Sequence, residues 1–444
     1  MTATSSFSVE NLIRISKSER WQKCMPTKII SAKIFFLISI ISFLMSTIWF
    51  SAVKRDERDV LQAIEDVGND IKYINVYRKP NKLPKGFKYV LLWTPNSYSP
   101  FYFFGKGQKA FIKNKCATIK CYITTDRFLF GGMDSVSKFD AIAFNGRNID
   151  TIRRVNLPRQ RLMRQKYIYF NLESPQNYPV CSAIFDNFFN LTSTYKLDSD
   201  IQYSYILIRN KDGDVVGPKK NMKWVTDDIT DSHDKIAHNF TTKTKAVAWF
   251  VSNCSDKSGR KNYVWYLQKA LAAFNLTVDI YGKCGYFDCP VDRKAECNSM
   301  LERDYYFYLA MENSIADDYI TEKVLTALQN NIVPIVYGGA NYSQFLPPGS
   351  YLDARALDAF TLAHYIEKLI RYPESYNRFF MWKRHYTFHD PTAKENVCSL
   401  CAALHNESLM SSVSVYKNFR EWWHPKYKDS CSLKDEDNEK EIHL

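Results

Sequence analysis

Residues 305–314 read Tyr305-Tyr306-Phe307-Tyr308-Leu309-Ala310-Met311-Glu312-Asn313-Ser314, an aromatic and apolar run that ends in polar side chains. A helical pattern begins near Thr321, and a second apolar run from Ile332 to Val336 follows it. Nearly continuous apolar runs are typical of strands that are buried on both faces of a parallel sheet. The stretch therefore predicts a strand, a helix and a second strand, which is the repeating unit of an α/β fold.

The same pattern recurs along most of the chain. Further apolar runs predict strands at Tyr89 to Trp93, Cys121 to Thr125, Ala141 to Phe144, Tyr167 to Phe170, Val247 to Val251 and Val278 to Tyr281. Helical periodicity predicts helices at Tyr263 to Phe274, Thr321 to Gln329 and Ala356 to Arg371. A polar segment at residues 211–220 separates two groups of strands, so we expect two α/β domains, at residues 87–245 and 246–428.

The N-terminal region has the features of a membrane anchor. Residues 34–53 carry no charge and 15 of these 20 residues are apolar, which is enough for a helix that crosses the hydrocarbon core. Residues 1–33 carry six basic and two acidic side chains, which predicts a cytoplasmic tail and a lumenal body. A cleaved signal peptide is the weaker alternative, because the leader and the apolar run are too long. Residues 54–86 are interpreted as a stem, and residues 429–444 as an acidic tail.

Cysteine and sequon usage is typical of an oxidising compartment. Cys24 lies before the anchor, and the ten cysteines beyond it predict disulfide bonds whose pairing the sequence leaves open. Two clusters also have the spacing of zinc ligands: Cys398, Cys401 and His405, and Cys284, Cys289 and Cys297. Six N-x-Ser/Thr sequons follow the anchor, at Asn190, Asn239, Asn253, Asn275, Asn341 and Asn406.

Polar side chains at the ends of predicted strands are candidates for catalysis or ligand binding. The helix start near Thr321 offers free backbone N–H groups to a phosphate, with Lys323 adding a charge and Glu322 an acceptor for ribose hydroxyls. A simple helix cap is the alternative there. Glu173 follows the strand that ends at Phe170 and is a candidate general base, with a solvated glutamate as the alternative. Ser174-Pro175 predicts that a helix begins directly after it.

Two further segments carry weaker signals. Arg260 follows the strand at Val247 to Val251 and is well placed to reach a diphosphate, with ordinary loop polarity as the alternative. Asp198-Ser199-Asp200 has the Asp-x-Asp spacing by which many sugar-nucleotide enzymes hold a divalent metal. Two carboxylates within three residues are common by chance, so the Asp-x-Asp spacing alone is weak evidence for a metal site.

Several of these motifs together resemble those of the α1,3-fucosyltransferases, glycosyltransferase family 10. The similar segments span residues 171–175, 193–201, 249–254, 306–314, 318–323 and 333–338, and the resemblance extends from about Tyr89 to Ala403. The sequence departs from the family pattern at Met311, where Phe is usual, and at Thr326, where Asn is common. The resemblance implies the GT-B architecture, in which two Rossmann-like domains face a cleft with the acceptor domain first, in a type II Golgi membrane enzyme.

The resemblance also implies functional residues. Glu173 is implied as the catalytic base. The donor site is implied to contain Arg260 and Lys323 for the diphosphate, Glu322 for the ribose hydroxyls, and Asn313 and Tyr319 as lining residues. Asp198-Ser199-Asp200 has no metal role in this architecture. No cofactor is required, and stimulation by a divalent metal is left open.

The implied reaction is transfer of L-fucose from GDP-β-L-fucose to O3 of an N-acetylglucosamine on glycoprotein glycans, with inversion to an α linkage. The cysteine arrangement resembles invertebrate and plant-type members, which favours the N-glycan core as acceptor. A Lewis-type enzyme that acts on glycan antennae is the first alternative. The second is a non-catalytic lumenal glycan-binding protein, because a fold alone does not establish a function.

The chain carries a net charge of +13, and the basic stretch from Arg153 to Lys166 resembles a polyanion-binding patch. A lumenal location excludes nucleic acid as the partner. The excess charge is instead interpreted as part of a catalytic body that binds a diphosphate donor.

Overall fold

The computed structural model describes residues 39–47, 83–132, 134–225, 242–255 and 257–432. The chain divides into two units, residues 1–67 and 68–444. In the first unit the described residues form one helix, α1, at residues 39–47. The second unit contains every strand and all other helices that the structure describes. The predicted domain boundary at 245/246 falls within this second unit, at the first residue of a strand.

The predicted membrane anchor overlaps α1. Among the described residues, no helix is both long enough and apolar enough to cross a membrane. The rest of the predicted anchor, residues 34–38 and 48–53, lies outside the described residues. The same is true of the predicted cytoplasmic tail, most of the predicted stem and residues 433–444 of the acidic tail.

The strands are β1 (Lys88–Leu92), β2 (Cys121–Thr124), β3 (Ala141–Asn145), β4 (Lys166–Asn171), β5 (Leu191–Thr194), β6 (Ile201–Gln202), β7 (Leu207–Asn210), β8 (Val215–Gly217), β9 (Lys245–Phe250), β10 (Val278–Tyr281), β11 (Tyr305–Met311), β12 (Val333–Tyr337), β13 (Leu352–Asp353) and β14 (Tyr386–His389). The further helices are α2 (Phe101–Phe104), α3 (Lys109–Lys113), α4 (Gly146–Ile149), α5 (Arg260–Ala272), α6 (Lys294–Asp304), α7 (Lys323–Gln329), α8 (Ala359–Arg371), α9 (Pro373–Asn377), α10 (Thr392–Leu404), α11 (Glu407–Ser411) and α12 (Phe419–Trp423). Short 3₁₀ helices lie at Ser135–Lys138, Arg154–Asn156, Ala183–Phe185, Val291–Arg293, Tyr342–Gln344 and Arg378–Arg384.

Six parallel strands form the first sheet, in the order β2-β1-β3-β4-β5-β6. Val90 of β1 lies opposite Ile123 of β2 and Ala141 of β3. Every residue of β2, β3 and β4 is buried, as continuous apolar runs predict for a sheet that is covered on both faces. Because the strands are parallel, their carboxyl ends lie at one edge, and the side chains that follow β1 to β4 share that edge.

Five parallel strands form the second sheet, in the order β10-β9-β11-β12-β13. The central strand β11 pairs with β9 and β12. Leu309 of β11 belongs to a core cluster with Leu267 of α5 and Leu362 of α8. Tyr308 belongs to a second cluster with Leu328 of α7. The predicted strand, helix and strand between residues 305 and 336 are therefore confirmed, and with them the α/β class with parallel sheets.

A third sheet consists of three antiparallel strands in the order β14-β7-β8. The polar segment at residues 211–220, predicted as a link between two domains, forms the β7–β8 turn and strand β8 of this sheet. The Asp214 N–H donates to Asn210 Oδ1 at 2.8 Å, which closes the turn. Asn, Asp and Gly are common both in tight turns and in linkers, so the sequence pattern alone did not distinguish a turn from a link between domains.

The ten cysteines of the described residues form five disulfide bonds, as predicted from the sequence. The pairs are Cys116–Cys398, Cys121–Cys401, Cys181–Cys431, Cys254–Cys284 and Cys289–Cys297. The first three pairs join the C-terminal segment to the first half of the chain, and α10 contacts β6 and α3 there. The C-terminal segment, predicted as part of the second domain, therefore returns to the first sheet.

The glycosylation sequons differ in their surroundings. Four asparagines are exposed: Asn253, Asn275, Asn341 and Asn406. Asn239 lies outside the described residues. Asn190 is buried, and its Nδ2 donates to the Ser414 carbonyl at 3.0 Å. A buried side chain leaves no room for a glycan on that nitrogen, so the Asn190 sequon does not mark an accessible site in the folded protein.

Candidate active site

Glu173 lies two residues beyond β4, at the carboxyl edge of the first sheet. Its backbone N–H donates to Asn171 Oδ1 at 2.9 Å. Its Oε1 accepts hydrogen bonds from the Ser174 N–H at 2.9 Å and from Asn177 Nδ2 at 3.1 Å. The side chain is half-buried. These contacts hold the carboxylate in one orientation at the sheet edge, which is what a general base requires.

The helix predicted to begin at Ser174-Pro175 is absent, so this prediction was wrong. Residues 175–177 form a turn, and Ser174 Oγ accepts from the Asn177 N–H at 3.3 Å. The same hydroxyl donates to Ser314 Oγ at 2.7 Å. Ser followed by Pro favours a turn as well as a helix start, and the contact with a distant loop decides between them here.

Tyr319 contacts the proposed base directly. Its hydroxyl donates to Glu173 Oε1 at 2.6 Å, and its ring packs against Tyr195 with 4.9 Å between the ring centroids. Burial, followed by the nearby Tyr205 and Glu312, raises the pKa of Tyr319. The phenol therefore keeps its proton and remains a donor to Glu173. Tyr319 lies in the loop between β11 and α7, so this bond joins the edge of the first sheet to a loop of the second.

Gln176 adds two further contacts between the loop that carries Glu173 and the loops of the second sheet. Gln176 Oε1 accepts from the Ile315 N–H at 3.0 Å. The Gln176 carbonyl accepts from Lys257 Nζ at 2.5 Å. With the Ser174–Ser314 bond, they fix the loop that carries Glu173 against two loops of the second sheet, the one that leads into α7 and the one between β9 and α5.

Lys323 is surrounded by acceptors at the start of α7. Its Nζ lies 2.9 Å from Glu312 Oε2, 2.6 Å from Thr321 Oγ1 and 3.7 Å from Glu322 Oε1. Burial alone lowers the pKa of Lys323, but the carboxylates of Glu312 and Glu322 outweigh it and the pKa is raised. Lys323 is therefore held as a cation, the form that a diphosphate partner needs.

Glu312 is the residue of this group that sequence reasoning did not single out. Its side chain is 2% exposed, and its Oε1 accepts from both the N–H and the hydroxyl of Thr321, at 2.8 and 2.9 Å. A Cβ on Gly338 would lie 3.3 Å from Glu312 Cγ, so the neighbouring strand end closes over the carboxylate. The available signal was an acidic residue directly after a buried strand, where a charge needs a partner.

Thr321 does not cap α7 with its side chain, which was the alternative interpretation of this helix start. The Thr321 hydroxyl donates to Glu312, and the helix begins at Lys323 without a side-chain cap. Thr321 therefore serves the Glu312–Lys323 cluster, and the alternative interpretation as a simple helix cap is not supported.

Arg260 begins α5 and is 3% exposed. Its Nη1 donates to the Met311 carbonyl at 2.6 Å, and its Nη2 to the Asn253 carbonyl at 3.2 Å. The guanidinium is close enough to Lys323 that its charge lowers the pKa of that lysine. The two cations Arg260 and Lys323 therefore form one cluster at the carboxyl edge of the second sheet, fixed by β11 and the loop that follows β9, with Glu312 and Glu322 beside Lys323.

Asn313 and Glu322, the other two residues predicted for the sugar-nucleotide site, lie beside Arg260 and Lys323. Asn313 follows Glu312, and its Oδ1 is buried without a hydrogen-bond partner among the described residues. Glu322 precedes α7 and 57% of its side chain is exposed. A buried oxygen without a donor and an exposed carboxylate beside Lys323 leave two acceptors available to hydroxyl or amine groups of a ligand.

The carboxylates of Asp198 and Asp200 point to separate partners. Asp198 Oδ2 lies 3.4 Å from Lys220 Nζ. Asp200 Oδ2 accepts from the Thr192 N–H at 2.8 Å and from the Tyr416 hydroxyl at 2.9 Å. The described residues contain one group of metal-ligand type, Cys121, Cys401 and His405. Both cysteines are disulfide-bonded, as are all cysteines of the two predicted zinc clusters, so no thiolate is available to zinc there.

The chain matches two family models. The model described as "Fucosyltransferase, N-terminal" matches residues 85–206. The model described as "Glycosyltransferase family 10 (fucosyltransferase) C-term" matches residues 240–422. Together they cover both parallel sheets.

The chain is also similar to named fucosyltransferases. Alpha-(1,3)-fucosyltransferase C of Drosophila melanogaster is 34% identical over 320 residues, which cover 72% of this chain and 71% of that protein. Glycoprotein 3-alpha-L-fucosyltransferase A of Drosophila melanogaster is 35% identical over 72% of this chain and 57% of that protein. The human 3-galactosyl-N-acetylglucosaminide 4-alpha-L-fucosyltransferase FUT3 is 32% identical over 67% of this chain and 74% of that protein.

Among solved structures, a crystal structure of an α1,3-fucosyltransferase with GDP-fucose aligns with a TM-score of 0.43 and 14% identity, over 79% of this chain and 96% of that chain. The relatives and the two family models carry the assignment: the chain belongs to glycosyltransferase family 10, the fucosyltransferases.

Proposed function

We propose that the protein transfers L-fucose from GDP-β-L-fucose to O3 of an N-acetylglucosamine on glycoprotein glycans, with inversion to an α linkage. The observation that carries the proposal is the contact of Glu173 with Tyr319, whose loop leads directly into Lys323. A carboxylate and a lysine cation are thereby held on two loops that meet. An inverting transfer needs such a pair, a base for the acceptor and a partner for the leaving group.

In the proposed reaction, Glu173 removes the proton from the acceptor hydroxyl while that oxygen forms a bond to C1 of fucose. The bond between C1 and the β-phosphate oxygen breaks, and GDP leaves with the electron pair. The sugar passes through oxocarbenium character as these bonds exchange. Arg260 and Lys323 meet the negative charge that grows on the phosphate, an effect of about 3 kcal/mol for one well-placed donor.

The other donor contacts follow from the same placement. Glu322 is proposed to accept hydrogen bonds from the ribose hydroxyls, and Asn313 and Tyr319 to line the donor site. The chemistry as proposed uses no metal, because Arg260 and Lys323 meet the charge of the leaving group. Activity that disappears when divalent cations are chelated would contradict that part of the proposal.

The proposed architecture is GT-B, with two Rossmann-like domains facing a cleft, the acceptor domain first and the donor domain second. In its support, residues at the carboxyl edges of both parallel sheets contact each other through Glu173 and Tyr319 and through Ser174 and Ser314. In α/β sheets, ligands bind at these edges.

The acceptor is proposed to be the proximal N-acetylglucosamine of the N-glycan core, with an antennary, Lewis-type acceptor as the alternative. The relatives differ in the linkage that their names state: the two Drosophila proteins are named alpha-(1,3) and 3-alpha, and human FUT3 is named 4-alpha. Incubation with a core glycopeptide and with N-acetyllactosamine, followed by linkage analysis of each product, separates these acceptors and linkages.

We also propose that the protein is a single-pass type II membrane protein of the Golgi, with its catalytic part in the lumen. The apolar residues 34–53, the basic residues before them and the five disulfide bonds support this location. A C-terminal epitope tag should be protected from protease in intact vesicles and cleaved after detergent is added. A tag that is cleaved in intact vesicles overturns the orientation.

The test of the activity is fucose transfer by the full chain in detergent, with Glu173→Gln as the decisive variant. Transfer should be lost in the variant while GDP binding is retained, because the amide keeps the shape of the side chain but cannot take the proton. Glu407→Gln, at an exposed glutamate of α11, is the matched control. A wild-type chain that binds glycans but transfers fucose to none of them favours the non-catalytic alternative.

A further inference from the structure

The loop between β5 and β6, which carries the Asp-x-Asp sequence, contacts the loop of the second sheet that carries Tyr319. The Leu197 N–H donates to Asp318 Oδ2 at 3.0 Å. Asp318 directly precedes Tyr319 in the chain, and the Tyr319 ring packs on Tyr195 of the same first-sheet loop. Two consecutive residues of the second sheet's loop are therefore docked on one loop of the first sheet.

The loop between β5 and β6 is itself held in place by hydrogen bonds. Within it, the Ser199 N–H donates to the Lys196 carbonyl at 3.1 Å. Asp200 Oδ2 accepts from the Thr192 N–H of β5 at 2.8 Å. Lys196 Nζ donates to the Trp422 carbonyl of the C-terminal segment at 2.7 Å. The backbone N–H groups that this loop offers to the second sheet therefore have fixed positions.

The backbone of Asp318 has an uncommon conformation. Its φ is +58°, in the left-handed region that Asp and Asn adopt more readily than other residues with a side chain. On either side of it, the Tyr319 N–H donates to the Ala316 carbonyl at 3.3 Å, and the Ile320 N–H donates to the Asp318 carbonyl at 3.0 Å. The chain thus turns at Asp318, and the direction of the next side chain, Tyr319, depends on that turn.

The turn at Asp318 leads directly to the proposed base. The Tyr319 hydroxyl donates to Glu173 Oε1 at 2.6 Å. The bonds of Ser314 and Ile315 hold the start of the same loop, whereas the bond of Asp318 lies next to Tyr319 itself. A restraint on the residue beside the phenol limits where the phenol points, and a hydrogen bond loses strength steeply when its geometry departs from the optimum.

We infer that Asp318 is a positioning residue for the transfer reaction, which acts through Tyr319 on the orientation of Glu173. The inference rests on the proposed function, because it takes Glu173 as the base. The loop with the Asp-x-Asp sequence then has a role other than metal binding, since it supplies the N–H that binds Asp318. Loss of the Asp318 carboxylate should slow the chemical step and leave donor binding unchanged.

Two variants, Asp318→Gly and Asp318→Ala, remove the acceptor but have opposite backbone preferences, because Gly adopts a positive φ readily and Ala does not. For the full chain in detergent, kcat for fucose transfer should fall about tenfold in both, the effect of one lost hydrogen bond to a charged group. The Kd for GDP should not change. Asp318→Asn keeps an acceptor oxygen and tolerates the turn, so its kcat should stay within about threefold of wild type.

The matched control is Asp317→Gly, at the exposed neighbouring residue of the same turn. It adds the same backbone freedom without removing the bond to Leu197, and should leave kcat unchanged. A tenfold loss in this control as well would show that loop flexibility causes the effect, and would overturn the inference.

A double-mutant cycle tests the path through Tyr319. In the Tyr319→Phe background, Asp318→Gly should cause no further decrease in kcat, because the bond on which it acts is already lost. A structural role independent of that bond predicts that the two decreases multiply, which would overturn the inference. The Ala variant gives the same cycle if the Gly variant loses its fold.

The other outcomes are equally decisive. Wild-type kcat in the Gly and Ala variants overturns the inference, and so does an Asn variant as slow as the Gly variant, because the acceptor oxygen then has no effect. A Kd for GDP that rises together with the loss of kcat indicates general damage to the donor loop and also overturns it. Wild-type protein that binds GDP but transfers no fucose contradicts the proposed function itself.

Discussion

The hydroxyl of Tyr319 lies 2.6 Å from Oε1 of Glu173, although the two residues are 146 positions apart in the chain. Tyr319 is almost fully buried, and its raised pKa keeps the phenol protonated. The same Oε1 also accepts from the Ser174 N–H and Asn177 Nδ2. The second sheet thus supplies one of the donors that orient the proposed base, so the position of the base depends on how the loops of both sheets meet.

Replacement of Tyr319 by Phe should lower kcat while the protein stays folded. The change removes one hydrogen bond to a charged group, which is worth about 1.5 to 3 kcal/mol, and so predicts a decrease of about 10- to 100-fold. The measurement is kcat for fucose transfer at saturating donor and acceptor, with thermal unfolding followed in parallel. Tyr365→Phe, at an exposed tyrosine of α8, is the control. Wild-type turnover in Tyr319→Phe would show that this bond does not orient the base.

The Glu312→Gln variant should change how activity depends on pH. Glu312 raises the pKa of Lys323 against the effect of burial, so loss of its charge lowers that pKa and Lys323 loses its proton at a lower pH. We expect KM for GDP-fucose to rise about tenfold at neutral pH. We also expect the alkaline limb of the kcat/KM profile to move to lower pH.

The matched control for this change is Glu296→Gln, at an exposed glutamate of α6. It should leave both KM and the pH profile as they are, because an exposed side chain without a buried partner contributes little. An alkaline limb that stays in place in Glu312→Gln, with KM raised, would indicate that Glu312 supports the loop without acting through Lys323.

The local parts of this site could be predicted from the sequence. The strand at Tyr305 and the position of Lys323 in the first turn of α7 follow from apolar runs and polar breaks, which are properties of neighbouring residues. The contact between Glu173 and Tyr319 could not be predicted, because no local pattern encodes which distant loops meet. The Ser174-Pro175 error has the same origin, since Ser314 decides the local structure there. Glu312 was missed because burial and partners, not residue type, give it its role.

The two disulfide bonds of α10 should stabilise the protein in a strongly non-additive way. Cys116–Cys398 and Cys121–Cys401 each close a loop of about 280 residues, but either bond leaves only a short loop for the other to close. The chain-entropy argument then predicts that replacement of either pair by Ser costs about 3 kcal/mol, and that replacement of both costs more than twice that. Denaturant unfolding of the three variants gives these values. If the decreases in the free energy of unfolding of the two single-pair variants sum to the decrease in the variant that lacks both pairs, the shared-loop argument is wrong.

The buried tyrosines should make the protein unstable in alkali. Burial is the largest cause of the raised pKa values of Tyr169, Tyr195 and Tyr376, above the ordinary value of 10.0. Below pH 10 both the folded and the unfolded chain keep these protons, so stability does not change through them. Above pH 10 only the unfolded chain ionises, and the free energy of unfolding falls by about 1.4 kcal/mol per pH unit for each such tyrosine. Tyrosinate absorbance should therefore rise in two stages, the second together with loss of helical circular dichroism. A single reversible stage near pH 10 with the fold retained would show that these phenols are accessible to solvent.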